Sequence, residues 1–308
     1  MQSAILPFTV LNQNEASMIR LIFNIELNYE VTGAPSDFII NIHAAQTGHQ
    51  SVVNEQLYLS QPITPVIYTD STYGTRYMRL QAVAGPLTIR YDATVDLSHY
   101  VESPDNLLEV PISALPSEVL PYIYPSRYCQ SDRLGKLATW EFAHVQSGYP
   151  RVRAIQDWVR RRTSFLSGSS NSNTSATDTI IDQAGVCRDF AHLMIALCRA
   201  MNIPARFVTG IDYDADPKLG PTDFHAYVEV FLSSRWYSFD PTGISPPMGL
   251  IRLGTGRDAA DASFATVFGS VKSFSPVINI EAVDDASNGF TLPRHCTEAL
   301  STHTALKS

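Results

Sequence analysis

The sequence predicts an α+β chain in two parts, an N-terminal antiparallel β-sandwich followed by a region of helices and strands. Three observations carry this. From residue 18 to about 115, short β-like runs follow one another with no helical period among them. Prolines then crowd the stretch from Pro104 to Pro125 and leave little room for regular structure, which sets a domain boundary near residue 115. Beyond it, helical periodicities give way to two strand-like runs joined by a short loop.

Taken in order, residues 1–17 are polar and unpatterned and read as a flexible leader. Ile19, Leu21, Phe23, Ile25, Leu27, Tyr29 and Val31 then alternate with mostly polar residues, the period-two signature of a long half-buried strand. Further strands are expected over Phe38–Ala44, Val52–Leu59, Arg76–Val83 and, after the turn at Gly85-Pro86, Leu87–Val95. Helices are expected over Ser131–Val145 and Arg151–Phe165; Arg160, Arg161 and Arg162 suit the second one's C-terminal end, where positive charge is favoured. A low-complexity loop at 167–177 leads to a run of helix formers from Cys187 to Met201, stopped by Asn202-Ile203-Pro204.

At 308 residues the chain has room for two domains, and 44% hydrophobic with 17% charged residues suits a full core. The net charge of −8 argues against nucleic acid or an anionic membrane surface as partner. No apolar run is long enough to span a membrane, and the N-terminus has no basic, then apolar, secretory pattern, so the expected location is cytoplasmic. Four cysteines, Cys129, Cys187, Cys198 and Cys296, lack the close pairing of a disulfide framework. No CxxC or HxxxH spacing proposes a metal, and no cofactor is expected. Cys198 lies roughly 16 Å along the same helix from Cys187 and reads as core.

Cys187 is the informative thiol. It falls in the first turn of its helix, where free backbone N–H groups and the helix dipole favour a thiolate and can hold an oxyanion. His192 is turned ~140° around that helix from Cys187 and is a poor partner for it. His225 is the better base. It opens a strand, residues 225–232, whose even positions are uniformly apolar, so one face should meet the core and the other a cleft. A two-residue turn at Ser233-Ser234 pairs Leu232 with Arg235 and brings Tyr227 opposite Asp240. In that parity Asp240 lies diagonally from His225 on the same face; a three-residue loop would put it on the other. A thiol, an imidazole and a carboxylate so arranged are the minimal set for nucleophilic acyl chemistry.

These residues resemble the bacterial, papain-fold cysteine hydrolase branch of the transglutaminase-like superfamily. The matching text is Thr174-Ser175-Ala176 ahead of GVCRDFAHLMIALCRAMNIPAR at 185–206, then FHAYVEV at 224–230 and WYSFDPT at 236–242. The stretches at 124–129 and 256–261 and the β-rich N-terminal part also look like this branch. The resemblance implies Cys187 as nucleophile, His225 as base and Asp240 as orienting group, on a cysteine helix packed against an antiparallel sheet. It divides the chain into the leader, a β-rich domain at 18–115, a transglutaminase-like core at 116–270 and a C-terminal extension at 271–308 packing on either. It also implies site-wall candidates Tyr128 and Tyr227, with Arg127 and Asp258 nearby; Tyr227 stands where many relatives carry Trp. No Trp adjoins Cys187 as in crosslinking transglutaminases, which weighs against crosslinking. The expected function is a thiol hydrolase acting on a peptide or isopeptide amide in a peptide or protein substrate. The alternatives are acyl transfer from a protein glutamine, or a binding module that keeps the fold without turnover.

Overall fold

Period-two patterning builds the first layer. In the computed structural model, which describes residues 18–71, 74–216, 218 and 222–306, the alternating run is one strand, β1 (Ile19–Val31), with every odd position buried. The leader expected at 1–17 lies outside the described residues. β2 (Ser36–Ile40), β3 (Gln50–Leu59), β4 (Val66–Thr69), β5 (Arg76–Ala82) and β6 (Gly85–Leu97) follow, and then the short β7 (Tyr100–Glu102). β1 and β6 pair along their whole length, from Ile19 opposite Leu97 to Val31 opposite Gly85. The expected strand at Phe38–Ala44 ends at Ile40, and β4, every residue of which is exposed, had no apolar alternation to announce it.

The helical layer comes next. α1 (Ser131–Phe142) and α2 (Tyr149–Arg162) end a turn before the expected limits, and the arginines do occupy the last turn of α2. After β8 (Ser164–Phe165), the low-complexity loop runs into α3 (Ala176–Asp182), where the sequence predicted no helix between that loop and the cysteine helix. Its signal is Ser175, whose backbone N–H and hydroxyl both bond to Asp178 three residues on. β9 (Ala184–Gly185) pairs in parallel with β8 just ahead of α4 (Cys187–Ala200). α4 is buried at every position from Asp189 to Arg199, as expected of a helix apolar almost all round.

α4 packs on an antiparallel sheet of β10 (Ala205–Asp212), β11 (His225–Leu232), β12 (Arg235–Phe239) and β13 (Leu250–Gly256), in the order β12-β11-β10-β13. Phe190, Leu193 and Met194 share a core with Phe207, Ala226, Val228 and Val230. The sequence expected the odd face of β11 to front a cleft. In the structure both faces are buried. Phe231 packs with Trp236, Tyr122 and Val119. Glu229 is fully buried in an ion cluster, accepting from Arg206 Nε at 2.7 Å and from the Arg252 guanidinium, with His303 against both arginines. A strand with Tyr, Glu and Phe on one face reads as half-solvated because the segments that cover it are remote in sequence.

The chain then returns to its beginning. β14 (Ala265–Phe268) pairs with β2, while β15 (Val271–Ser273) and β16 (Val277–Val283) pair with β1. The two sandwich sheets are therefore β15-β1-β6-β3, with β16 also on β1, and β14-β2-β5-β4. A boundary at 270 cuts the β14–β15 connection, and both strands beside it belong to the sandwich. The last strand, β17 (Ala299–Ser301), pairs with β7. Among the described residues no helix is long and apolar enough to cross a membrane. The chain is an α+β protein with an N-terminal β domain and a helix-on-antiparallel-sheet core.

Candidate active site

The site is built on the start of α4. A Cβ on Gly185 would lie 2.6 Å from the Cβ of Asp189, so only glycine lets Asp189 fold back beneath the preceding strand. Asp189 Oδ2 then accepts the Val186 N–H at 2.8 Å, tying the third helical residue to the residue before the helix. This holds Cys187 at the first helical position, half-buried, with its Sγ donating to the carbonyl oxygen of Phe224 at 3.7 Å and close enough to the His225 ring to bear on its charge.

His225 is the first residue of β11 and is 3% exposed. Asp240 follows directly on β12. The two-residue turn that joins the strands places both Ser233 and Ser234 at positive φ, 44° and 68°, the conformation whose twist suits a tight hairpin. Leu232 pairs with Arg235 and Val228 with Phe239, the register the sequence called for. Asp240 Oδ2 consequently reaches His225 Nε2 at 3.2 Å. Its other oxygen accepts from Thr242 N–H at 2.9 Å and Thr242 Oγ1 at 2.7 Å, and Gln156 of α2 donates to its main-chain carbonyl at 2.6 Å. The structure thus brings Cys187, His225 and Asp240 together.

Charge follows geometry. Burial works against a proton on His225, but Asp240, Asp212 and the hydrogen bonds to Asp240 and Cys187 outweigh it and hold its pKa well above the usual histidine range. Burial likewise opposes the charge on Asp240, yet His225 and Thr242 keep its carboxyl below the usual value. Asp212, the last residue of β10, was not singled out from the sequence. It is 3% exposed and its Oδ2 lies 3.7 Å from His225 Nδ1. Its one sequence signal is a carboxylate closing the strand-like run at 205–211.

The remaining candidates are scattered around this centre. Tyr128 stacks on His192, ring centroids 4.9 Å apart, and its hydroxyl donates to the Ser172 carbonyl at 2.7 Å. Its ring also lies 6.0 Å from the Arg188 guanidinium, beside the cysteine. Asp258 accepts the Tyr128 N–H at 2.9 Å, and Arg127 lies over the Tyr128 ring. Tyr227 is 1% exposed and packed with Val208 and Leu250, within reach of the charges of Arg252 and Glu229. It therefore faces the buried ion cluster rather than open space. His192, fully buried, accepts the Ala259 N–H at 3.1 Å. Among the described residues no group of three or more His, Cys, Asp or Glu side chains is placed to hold a metal ion.

Comparison with known proteins finds two family models along the chain. Residues 139–241 match the model described as the transglutaminase-like superfamily, and residues 19–118 match the bacterial transglutaminase N-terminal domain. A solved structure from Cytophaga hutchinsonii, described as a "putative cysteine protease", is 39% identical, covers 92% of this chain and 97% of that one, and superposes with a TM-score of 0.84. An uncharacterized protein of Mycobacterium leprae is 32% identical over 117 residues, 36% of this chain and 42% of that protein. One from Mycobacterium bovis is 31% identical over 126 residues, 36% of this chain and 40% of that protein. The chain thus matches less than half the length of these two curated relatives.

Proposed function

We propose, from the premise that this chain belongs to the transglutaminase-like superfamily, that it cleaves a peptide or isopeptide amide through an acyl-enzyme on Cys187. The broader kind, papain-like cysteine hydrolase or acyltransferase, follows from the family and fold. The observation that carries the finer reading is the run of contacts from the Cys187 thiol through the His225 ring to the Asp240 carboxylate.

In this reading His225 takes the proton of the thiol and Sγ attacks the amide carbonyl. The N–H groups at the start of α4 face the oxyanion of the tetrahedral intermediate. His225 then gives its proton to the departing amine, the C–N bond breaks and a thioester remains. Water, deprotonated by the same imidazole, attacks the thioester and releases a carboxylic acid and the thiol. Asp240 fixes the ring through Nε2 and leaves Nδ1 for the thiol.

An amine in place of water would turn the second step into acyl transfer, so the two outcomes share the first half of the chemistry. A peptide-library screen with wild type and Cys187→Ala, read by mass spectrometry, separates them. New carboxyl termini support hydrolysis, and amine-coupled products support transfer. A covalent adduct on Cys187 in neither case, with no turnover, points to a binding module.

A further inference from the structure

We propose that Asp212 is a positioning residue for the imidazole, forming with Asp240 a two-carboxylate clamp that keeps His225 protonated once it has taken the proton of Cys187 and faces the thiolate. The inference rests on the thiol–imidazole reading above and adds a member to it.

The two carboxylates come from different strands and address different ring nitrogens. Asp240 Oδ2 is 3.2 Å from Nε2, and Asp212 Oδ2 is 3.7 Å from Nδ1. Asp212 is 3% exposed, and that oxygen accepts no hydrogen bond. A buried carboxylate oxygen without a donor is costly unless a positive charge lies beside it. Within ion-pair distance that charge is the His225 ring. At 3.7 Å the contact is too long for a hydrogen bond, so Asp212 acts through its charge and leaves the Nδ1 proton free to be shared with Sγ.

The groups that face the ring are thus Cys187 from α4, Asp212 from β10 and Asp240 after β12, with Asp223 close enough to couple to Asp212. Burial raises the Asp212 carboxyl, and the neighbouring Asp240 adds to this while His225 opposes it. Neutralising His225 would leave two unbalanced buried carboxylates. Loss of its proton is therefore opposed from both ends of the ring.

The test is the pH dependence of Cys187 alkylation by iodoacetamide, read by peptide mass spectrometry in the full chain. In wild type the alkaline limb reports loss of the His225 proton. Asp212→Asn is expected to move that limb down by about one pH unit, a roughly tenfold loss of proton affinity at the ring, and Asp212→Glu to restore part of it. Asp212→Ser serves as a second charge-removing variant if the amide is not tolerated, with circular dichroism reporting the fold. A folded Asp212→Asn or Asp212→Ser protein with an unmoved alkaline limb overturns the clamp. A profile that His225→Ala also leaves unchanged overturns the thiol–imidazole reading itself, so the two failures are distinct.

Discussion

Asp240 Oδ2 stands 3.2 Å from His225 Nε2 while Asp240 Oδ1 is held by both the N–H and the hydroxyl of Thr242. The carboxylate cannot rotate without leaving two donors unmatched. An amide at this position must therefore keep its oxygen on Thr242 and turn its NH₂ toward the ring, where an acceptor is needed. Asp240→Asn is expected to lower kcat/KM by on the order of 10²–10⁴-fold with little loss of fold. Steady-state kinetics on a cleaved peptide checks this, and near-wild-type activity would contradict the orienting role.

The four thiols should separate by reactivity. Cys129 and Cys198 are fully buried; burial pushes Cys129 up to about 12 and Cys198 higher still. Cys296 is half-buried and also raised by burial, which makes it the internal reference. At neutral pH, iodoacetamide should label Cys187 at least about tenfold faster than Cys296, and His225→Ala should remove that advantage without altering Cys296. Equal rates at the two sites would remove the case for an activated thiol.

Histidines inside the fold set its response to acid. Burial, with Arg76 adding to it, pushes His43 down to about 4, and burial does the same to His99. Between the ordinary value of 6.5 and about 4 the unfolded chain binds protons that the folded chain refuses, so stability falls as pH falls through that window. His225 has the opposite sign: its contribution is complete below 6.5 and is lost as pH rises through its raised value. His43 packs against Tyr91 with the rings tilted, centroids 4.7 Å apart, and its Nδ1 has no hydrogen-bond partner. His43→Phe should keep the ring contact and remove roughly 3 kcal/mol of acid destabilisation by pH 4. Thermal melts from pH 7 to 4 would show a flatter fall in Tm for the variant.

Gly185 and Asp189 form one device at the start of α4. Gly185→Ala forces the Cβ against Asp189 and should cost about 1–3 kcal/mol. Asp189→Ala removes the bond to the Val186 N–H and should cost about 1 kcal/mol. Both should reduce kcat by more than their urea midpoints suggest, because each shifts the helix start that carries Cys187. Activity that tracks stability alone would deny Asp189 a share in positioning.

The sandwich depends on strands from both ends of the chain. A fragment of residues 18–115 lacks β14, β15 and β16 and leaves the outer edges of β1 and β2 unpaired. It should show no cooperative melt, whereas the same fragment with 265–283 joined to it should regain one. A cooperative transition in the short fragment would show that the returning strands are dispensable.

Much of this protein can be read along the chain because its signals are local. The alternation at 19–31 specifies a strand buried on one face, the apolar run after Cys187 specifies a buried helix, and the turn at Ser233-Ser234 sets the parity that carries Asp240 to the His225 side. What the tertiary structure alone decided is which remote segments meet. Residues 265–283 join the sandwich because β1 and β2 have open edges that only a returning chain can pair. The outer face of β11 is closed by the linker near Tyr122 and by the tail at His303, so Tyr227 lies in a buried ion cluster and not on a site wall. Asp212 shows the same limit at the site. Its place beside Nδ1 follows from the pairing of β10 with β11, and a lone carboxylate at the end of a strand-like run carries no local sign of it. Period and turn chemistry act over a few residues; strand partnership and burial act across the whole chain.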